Sequence, residues 1–114
     1  MAFEKLSVSE QQAVLRCMKA IAEGPFIDDS EFRTRLGIDR ATLQDVLSHW
    51  PHIVDAGDDS DGCLAINNCM NEVSNGLRFS NDEWEKWFTQ SRAEIADTYG
   101  KWARLRGWSR SGIL

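Results

Sequence analysis

Two segments of the chain, 52 residues apart, repeat one pattern of apolar, glycine and helix-capping positions. AVLRCMKAIAEGPFIDDSEFRTRLGIDRATL (13–43) lies without a gap over AINNCMNEVSNGLRFSNDEWEKWFTQSRAEI (65–95). Identical pairs are Ala13/Ala65, Cys17/Cys69, Met18/Met70, Gly24/Gly76, Glu31/Glu83, Arg40/Arg92 and Ala41/Ala93. Apolar positions correspond at Val14/Ile66, Ile21/Val73, Ile27/Phe79, Phe32/Trp84, Leu36/Phe88 and Leu43/Ile95. Both segments read as a helix, a glycine at its end, a bulky apolar residue on the crossing, and a capped start with an aromatic on its first turn. Such self-similarity reads as an internal repeat of one helical unit. At 114 residues the two copies share one domain and one core.

Helix punctuation fills in the elements. Ser7-x-x-Glu10 is a capping box, in which serine oxygen and glutamate carboxylate each satisfy an N-terminal amide. It opens a helix over about 8–23, with Val14, Leu15, Met18, Ile21 and Ala22 on one face. Gly24 stands where a left-handed C-cap is wanted, and Pro25 cannot continue the helix. Asp28-x-x-Glu31 reads as a second box, opening a short helix that buries Phe32 and Leu36 and ends at Gly37. Asp39 caps a third helix, with Leu43, Val46, Leu47 and Trp50 inward and Pro51 as its stop. The apolar runs 52–56 and 63–66 flank a Gly/Asp-rich stretch, the pattern of a β-hairpin. Asn67 or Asn68 then caps a helix closed by Asn75-Gly76. Ser80-x-x-Glu83 opens the last, with Trp84, Phe88, Ile95, Tyr99 and Trp102 on one stripe. No breaker follows Thr89, so one long helix over about 81–105 is expected, with Ser91-x-x-Glu94 leaving room for a restart. The expected fold is mainly α with one small β-hairpin. It comprises a winged-helix-like part (7–66), a duplicated helical unit with a long C-terminal helix (67–106) and a basic tail (107–114).

Leu36, Gly37, Ile38, Leu43 and Val46 stand at the spacing of a helix-turn-helix, and the stretch resembles the helix-turn-helix and winged-helix superfamily. Arg33 departs from the pattern by replacing the small residue early in the first helix. The resemblance implies a DNA-binding regulator that offers Arg40, Thr42, Gln44 and Ser48 to the major groove. Charge opposes it. Net charge is −5 and the pI about 4.9. Residues 1–88 hold 8 Lys+Arg against 16 Asp+Glu, with Asp39 and Asp45 beside the reading face and Asp58, Asp59 and Asp61 in the expected wing. DNA affinity rests largely on neutralised phosphates, so DNA binding is the second reading.

Five Trp point to an aromatic-rich core or interface. The basic end pairs Trp102, Arg104, Arg106, Trp108 and Arg110, a set able to grip an acidic partner, such as the acidic body of a second copy, by cation–π and charge-assisted contacts. The competing expectation is that Trp102 and Leu105 finish the helix packing while the rest is solvated or docks on its own body. Aligning Gly62 to the glycine of a calcium loop puts Gly57 at the first ligand position and Asn68 where a bidentate Glu is needed, so calcium is not expected. His49, His52, Cys63 and Cys69 fit no zinc framework. No nucleophile–base–acid set can be assembled, so neither an enzyme nor a cofactor is expected. Three cysteines without a CxxC, and no signal peptide, fit the cytoplasm; no apolar run reaches membrane-spanning length. The leading expectation is a non-catalytic, cytoplasmic protein-interaction module on a helix-turn-helix-like scaffold, binding another protein or itself.

Overall fold

Serine caps decide where this chain starts its helices. The structure, a computed structural model, describes residues 1–108, and within them every regular element is helical. After a 3-10 turn at Phe3–Lys5 come α1 (Val8–Glu23), α2 (Asp29–Leu36), α3 (Arg40–Ser48), α4 (Asp61–Asn71), α5 (Asn81–Trp87) and α6 (Arg92–Leu105). A π-helical turn, Glu72–Gly76, extends α4. Ser7, Ser80 and Ser91 each form a complete capping box with the glutamate three residues on. Asp39 caps α3 by accepting from the Thr42 amide at 2.9 Å, and Ser60 caps α4. Asp28 makes no side-chain cap, so the box expected at α2 does not form.

α1 and α4 form the central pair. α1 also packs on α3 and α6, and α4 on α2, α3 and α6. Val14, Cys17, Met18 and Ile21 of α1, and Ile66, Cys69 and Met70 of α4, are wholly inaccessible to solvent. Each such aliphatic side chain contributes roughly 1.5–3 kcal/mol by leaving water. Phe32 and Leu36 of α2, Leu43 of α3, and Ile95 and Trp102 of α6 close the core around that pair.

Four expectations are corrected. The β-hairpin, and with it the wing, is absent: among the described residues there is no strand. Its second arm is the start of α4, because the Ser60 hydroxyl accepts from the Cys63 amide. The buried positions Gly62, Cys63, Ile66, Cys69, Met70 and Val73 then follow helical spacing. A run of four apolar residues suits strand and helix alike, and the continuing face decides. Its first arm does alternate, with Ile53 and Asp55 buried and Val54 exposed, but no partner strand lies beside it. The boundary expected between 66 and 67 falls inside α4.

The long C-terminal helix is also two helices. Phe88 is extended (φ −127, ψ 140). The break is well satisfied: the Trp84 indole donates to the Gln90 carbonyl at 2.8 Å, and the Ser91 box holds the first amides of α6. Gly24, finally, is not left-handed (φ −81, ψ 166). It is needed for space, since a Cβ there would lie 2.5 Å from the Phe26 ring and from the Ala20 carbonyl oxygen.

Candidate functional site

The turn between α2 and α3 has the expected geometry. Gly37 is left-handed (φ 71), its amide donates to the Arg33 carbonyl at 2.9 Å, and Ile38 and Leu43 are buried. The Asn68 side chain of α4 donates to the Leu36 carbonyl at 2.7 Å, pinning the end of α2.

The candidate base readers are placed differently from one another. Arg40 turns inward. Its guanidinium donates to the carbonyls of Ile21 (3.1 Å), Ala22 (2.7 Å) and Ile27 (2.7 Å), pairs with Asp29 (2.8 Å), and lies 4.5 Å from the Phe32 ring centre. It thereby satisfies orphan carbonyls at the C-terminus of α1, where a cation is favoured by the helix dipole. Thr42 gives both hydroxyl and amide to Asp39, which hold that carboxyl below its usual range. The Ser48 hydroxyl donates to the Asp45 carbonyl at 2.6 Å, and Gln44 is exposed.

The contacts of Arg40 recur 52 residues on. Arg92 donates to the Phe79 carbonyl (3.1 Å) and Asn81 (3.4 Å), and its guanidinium lies 4.5 Å from the Trp84 ring centre. These partners stand at the positions of Ile27, Asp29 and Phe32. Each arginine ties its own pair of helices to the crossing segment before them. Arg40→Met is expected to lower the unfolding free energy by about 2 kcal/mol, since several carbonyls lose their donor. Arg92→Met, with fewer bonds, is expected to cost about 1 kcal/mol. Urea denaturation midpoints of the two variants check the order.

The five residues of the basic end also divide. Trp102 is wholly buried and its indole donates to Asp55 Oδ2 at 2.8 Å. The Arg106 side chain is 6% exposed; it donates to the Asp55 carbonyl and to Asp58, and lies 5.4 Å and 4.9 Å from the Trp102 and Trp108 ring centres. Gly107 (φ 83) turns the chain back, the Trp108 amide donates to the Ala103 carbonyl at 2.9 Å, and Trp108 meets Trp102 edge to face. Arg104 is exposed, and Arg110 lies outside the described residues. Asp55, itself without solvent contact, accepts from the Phe3 amide at 3.0 Å and so joins both ends of the chain.

A third place has no counterpart in the sequence reading. A cleft of about 570 Å³ separates the first half of α1 from the elbow between α5 and α6. Ala13 and Thr98, 2% and 6% exposed, lie at its base. Arg16 stands on the α1 wall, and Glu94 and Asp97 on the α6 wall. Glu10, at one end, is bonded to Lys101 at 2.8 Å, which with the Ser7 amide holds its carboxyl below the usual range. The available signal was a polar flank beside the apolar face of α1: Ser9, Gln12 and Arg16 share the spacing of Ala13. Which second helix would face that flank is not legible in one sequence.

Burial pushes the thiols of Cys17 and Cys69 far up, which keeps them protonated. Among the described residues no three His, Cys, Asp or Glu side chains are grouped to share a metal ion, and no helix is long and apolar enough to cross a membrane. Compared with protein-family models, curated proteins and solved structures, the chain gives no match.

Proposed function

We propose that this chain is a non-catalytic protein-interaction module built from two copies of one three-helix unit, each fastened by its own arginine. The orientation of Arg40 carries the reading. α3 has no other Lys or Arg, so with Arg40 turned onto backbone carbonyls its outward face offers Gln44, Asp45, Ser48 and His49. That face of α3 supplies no Lys or Arg of its own to neutralise phosphate, and the net charge of −5 adds repulsion. The same surface suits a protein partner. Three unpaired cysteines fit a reducing compartment such as the cytosol.

Two measurements test this. Titrated with random duplex DNA at low salt, the full chain is expected to show no binding. Mixed with a partner purified in its own right, it is expected to form a complex of fixed stoichiometry. DNA binding that falls with added salt, and that Gln44→Glu weakens without loss of fold, would overturn the reading. Gln44 is the residue to change, because an Arg40 variant loses stability for reasons unrelated to DNA.

A further inference from the structure

We infer that Asn75-Gly76 is a site of spontaneous covalent modification, where the asparagine becomes aspartate and isoaspartate, and that the Glu72 carboxylate packed on Gly76 restrains the step. The inference is independent of the interaction-module reading, since it rests on the end of α4 and on the chemistry of the amide.

The reaction needs only water. The backbone nitrogen of Gly76 gives up its proton and attacks Cγ of Asn75. The Cγ–Nδ2 bond breaks, Nδ2 takes up a proton and leaves as ammonia, and a succinimide ring remains. Water opens the ring at Cγ to give aspartate, or at the Asn75 backbone carbonyl carbon to give isoaspartate. Nothing is oxidised or reduced: an amide and a water become a carboxylate and ammonium.

The sequence and the structure single out this position. Asparagine is among the chemically labile residues. Of the asparagines here only Asn75 precedes a glycine, which has no side chain to crowd the attacking nitrogen; the others precede Asn68, Cys69, Glu72 and Asp82. Asn75 and Gly76 are both exposed, whereas Asn67, Asn68 and Asn71 are half-buried. Asn67 accepts from the Tyr99 hydroxyl and Asn68 donates to the Leu36 carbonyl, each at 2.7 Å. Asn81 is exposed but stands inside α5 and accepts from Arg92. Among the described residues the Asn75 side chain bonds only to that of Asn71, at 3.1 Å.

Attack requires Asn75 to leave its helical backbone shape. It lies in the last, π-helical turn, closed by the Leu77 amide on the Glu72 carbonyl at 2.7 Å, after which the chain is extended. Helix ends open locally without global unfolding. Glu72 opposes that opening. A Cβ on Gly76 would overlap the Glu72 carboxylate, so the carboxylate lies directly against Gly76. Arg35 of α2 fixes it with two bonds, Nε to Oε2 at 2.9 Å and Nη2 to Oε1 at 2.6 Å. The clamp resists unwinding of the turn, and its negative charge opposes loss of the proton from the amide beside it. The product has no amide to donate to Asn71, and it adds negative charge at a helix C-terminus, where the dipole disfavours it.

The test incubates the full chain in mildly alkaline buffer and maps its peptides by mass spectrometry. Conversion is expected at Asn75 ahead of every other asparagine, with Asn75→Gln as the unreactive control. Glu72→Ala is expected to speed it severalfold; Arg35, with its side chain 32% exposed, is left to solvent in that variant. Glu72→Gln, which keeps the bulk and removes the charge, is expected to speed it by a smaller factor. Arg92→Met, which loosens the chain elsewhere, is expected to leave the rate unchanged. Asn81 converting as fast as Asn75 would overturn the site. An unchanged rate in both Glu72 variants would overturn the clamp. Equal acceleration by Glu72→Ala and Arg92→Met would do the same, since global unfolding would then set the rate.

Discussion

Arg106→Met is expected to lower the unfolding free energy by about 3–5 kcal/mol, the range for removing one member of a buried charge pair. The Asp55 carboxylate is wholly buried, and its Oδ2 accepts from the Phe3 amide and the Trp102 indole. Arg106 stands 4.0 Å from that oxygen and also donates to the Asp55 carbonyl. Without the guanidinium a carboxylate remains under Trp102 with no opposite charge nearby, and Trp108 loses the plane it covers. Arg106→Lys is expected to recover little, because an ammonium cannot reach Asp55 and Asp58 with a planar fork while lying against both indoles. Adding Asp55→Asn to Arg106→Met is expected to restore part of the loss by removing the stranded charge. Denaturant unfolding of the two single variants and the double variant measures this coupling directly. A loss under about 1 kcal/mol for Arg106→Met would mean that the pair does not hold the end of α6.

Gly62→Ala is expected to cost about 3 kcal/mol or more through overpacking. A Cβ at this position would lie 1.9 Å from the Val54 carbonyl oxygen and 2.8 Å from its carbon, both backbone atoms that cannot rotate aside. Either the segment 53–56 lifts, drawing Asp55 from its partners, or the first turn of α4 unwinds from Ser60. Gly57→Ala, five residues earlier, is the control. Its Cβ would meet nothing nearer than 3.7 Å, so a change within about 0.5 kcal/mol is expected. Thermal unfolding of the two variants separates crowding from a general sensitivity of this loop.

Much of the fold is legible residue by residue. Ser7, Ser80 and Asp39 mark helix starts that the structure places where the capping residues stand. Gly37 marks a turn because its left-handed backbone has no other cheap occupant. The hairpin expectation fails where local pattern is ambiguous: Cys63 to Ile66 is apolar throughout, and Ser60, inside the Gly/Asp-rich stretch, is a helix cap. The elbow at 88–91 carries only a weak local signal, because no glycine or proline marks it. The tie that secures it, the Trp84 indole on the Gln90 carbonyl, is a tertiary contact with no local signature. Arg40 shows the same limit at the site level. Its type and position suit a base reader, and only the packing of α1 against α3 reveals carbonyls that take its guanidinium first. The cleft was hidden for a related reason, since its two walls come from opposite ends of the chain.

The arginine contacts also differ from the Asp55 contacts in how far along the chain they reach. Arg40 and Arg92 close loops of 11 to 19 residues. Asp55 meets Phe3, Trp102 and Arg106 across 47 to 52 residues, and Lys101 meets Glu10 across 91. Short closures lose less chain entropy and form sooner. Each helical unit is therefore expected to assemble around its own arginine ahead of the longer ties, with the basic end fastening onto a body already built, an order that pulse-labelled hydrogen exchange during refolding would check. In a chain made from its N-terminus, everything Arg40 needs has been synthesised by residue 40, while Asp55 must wait for residue 106.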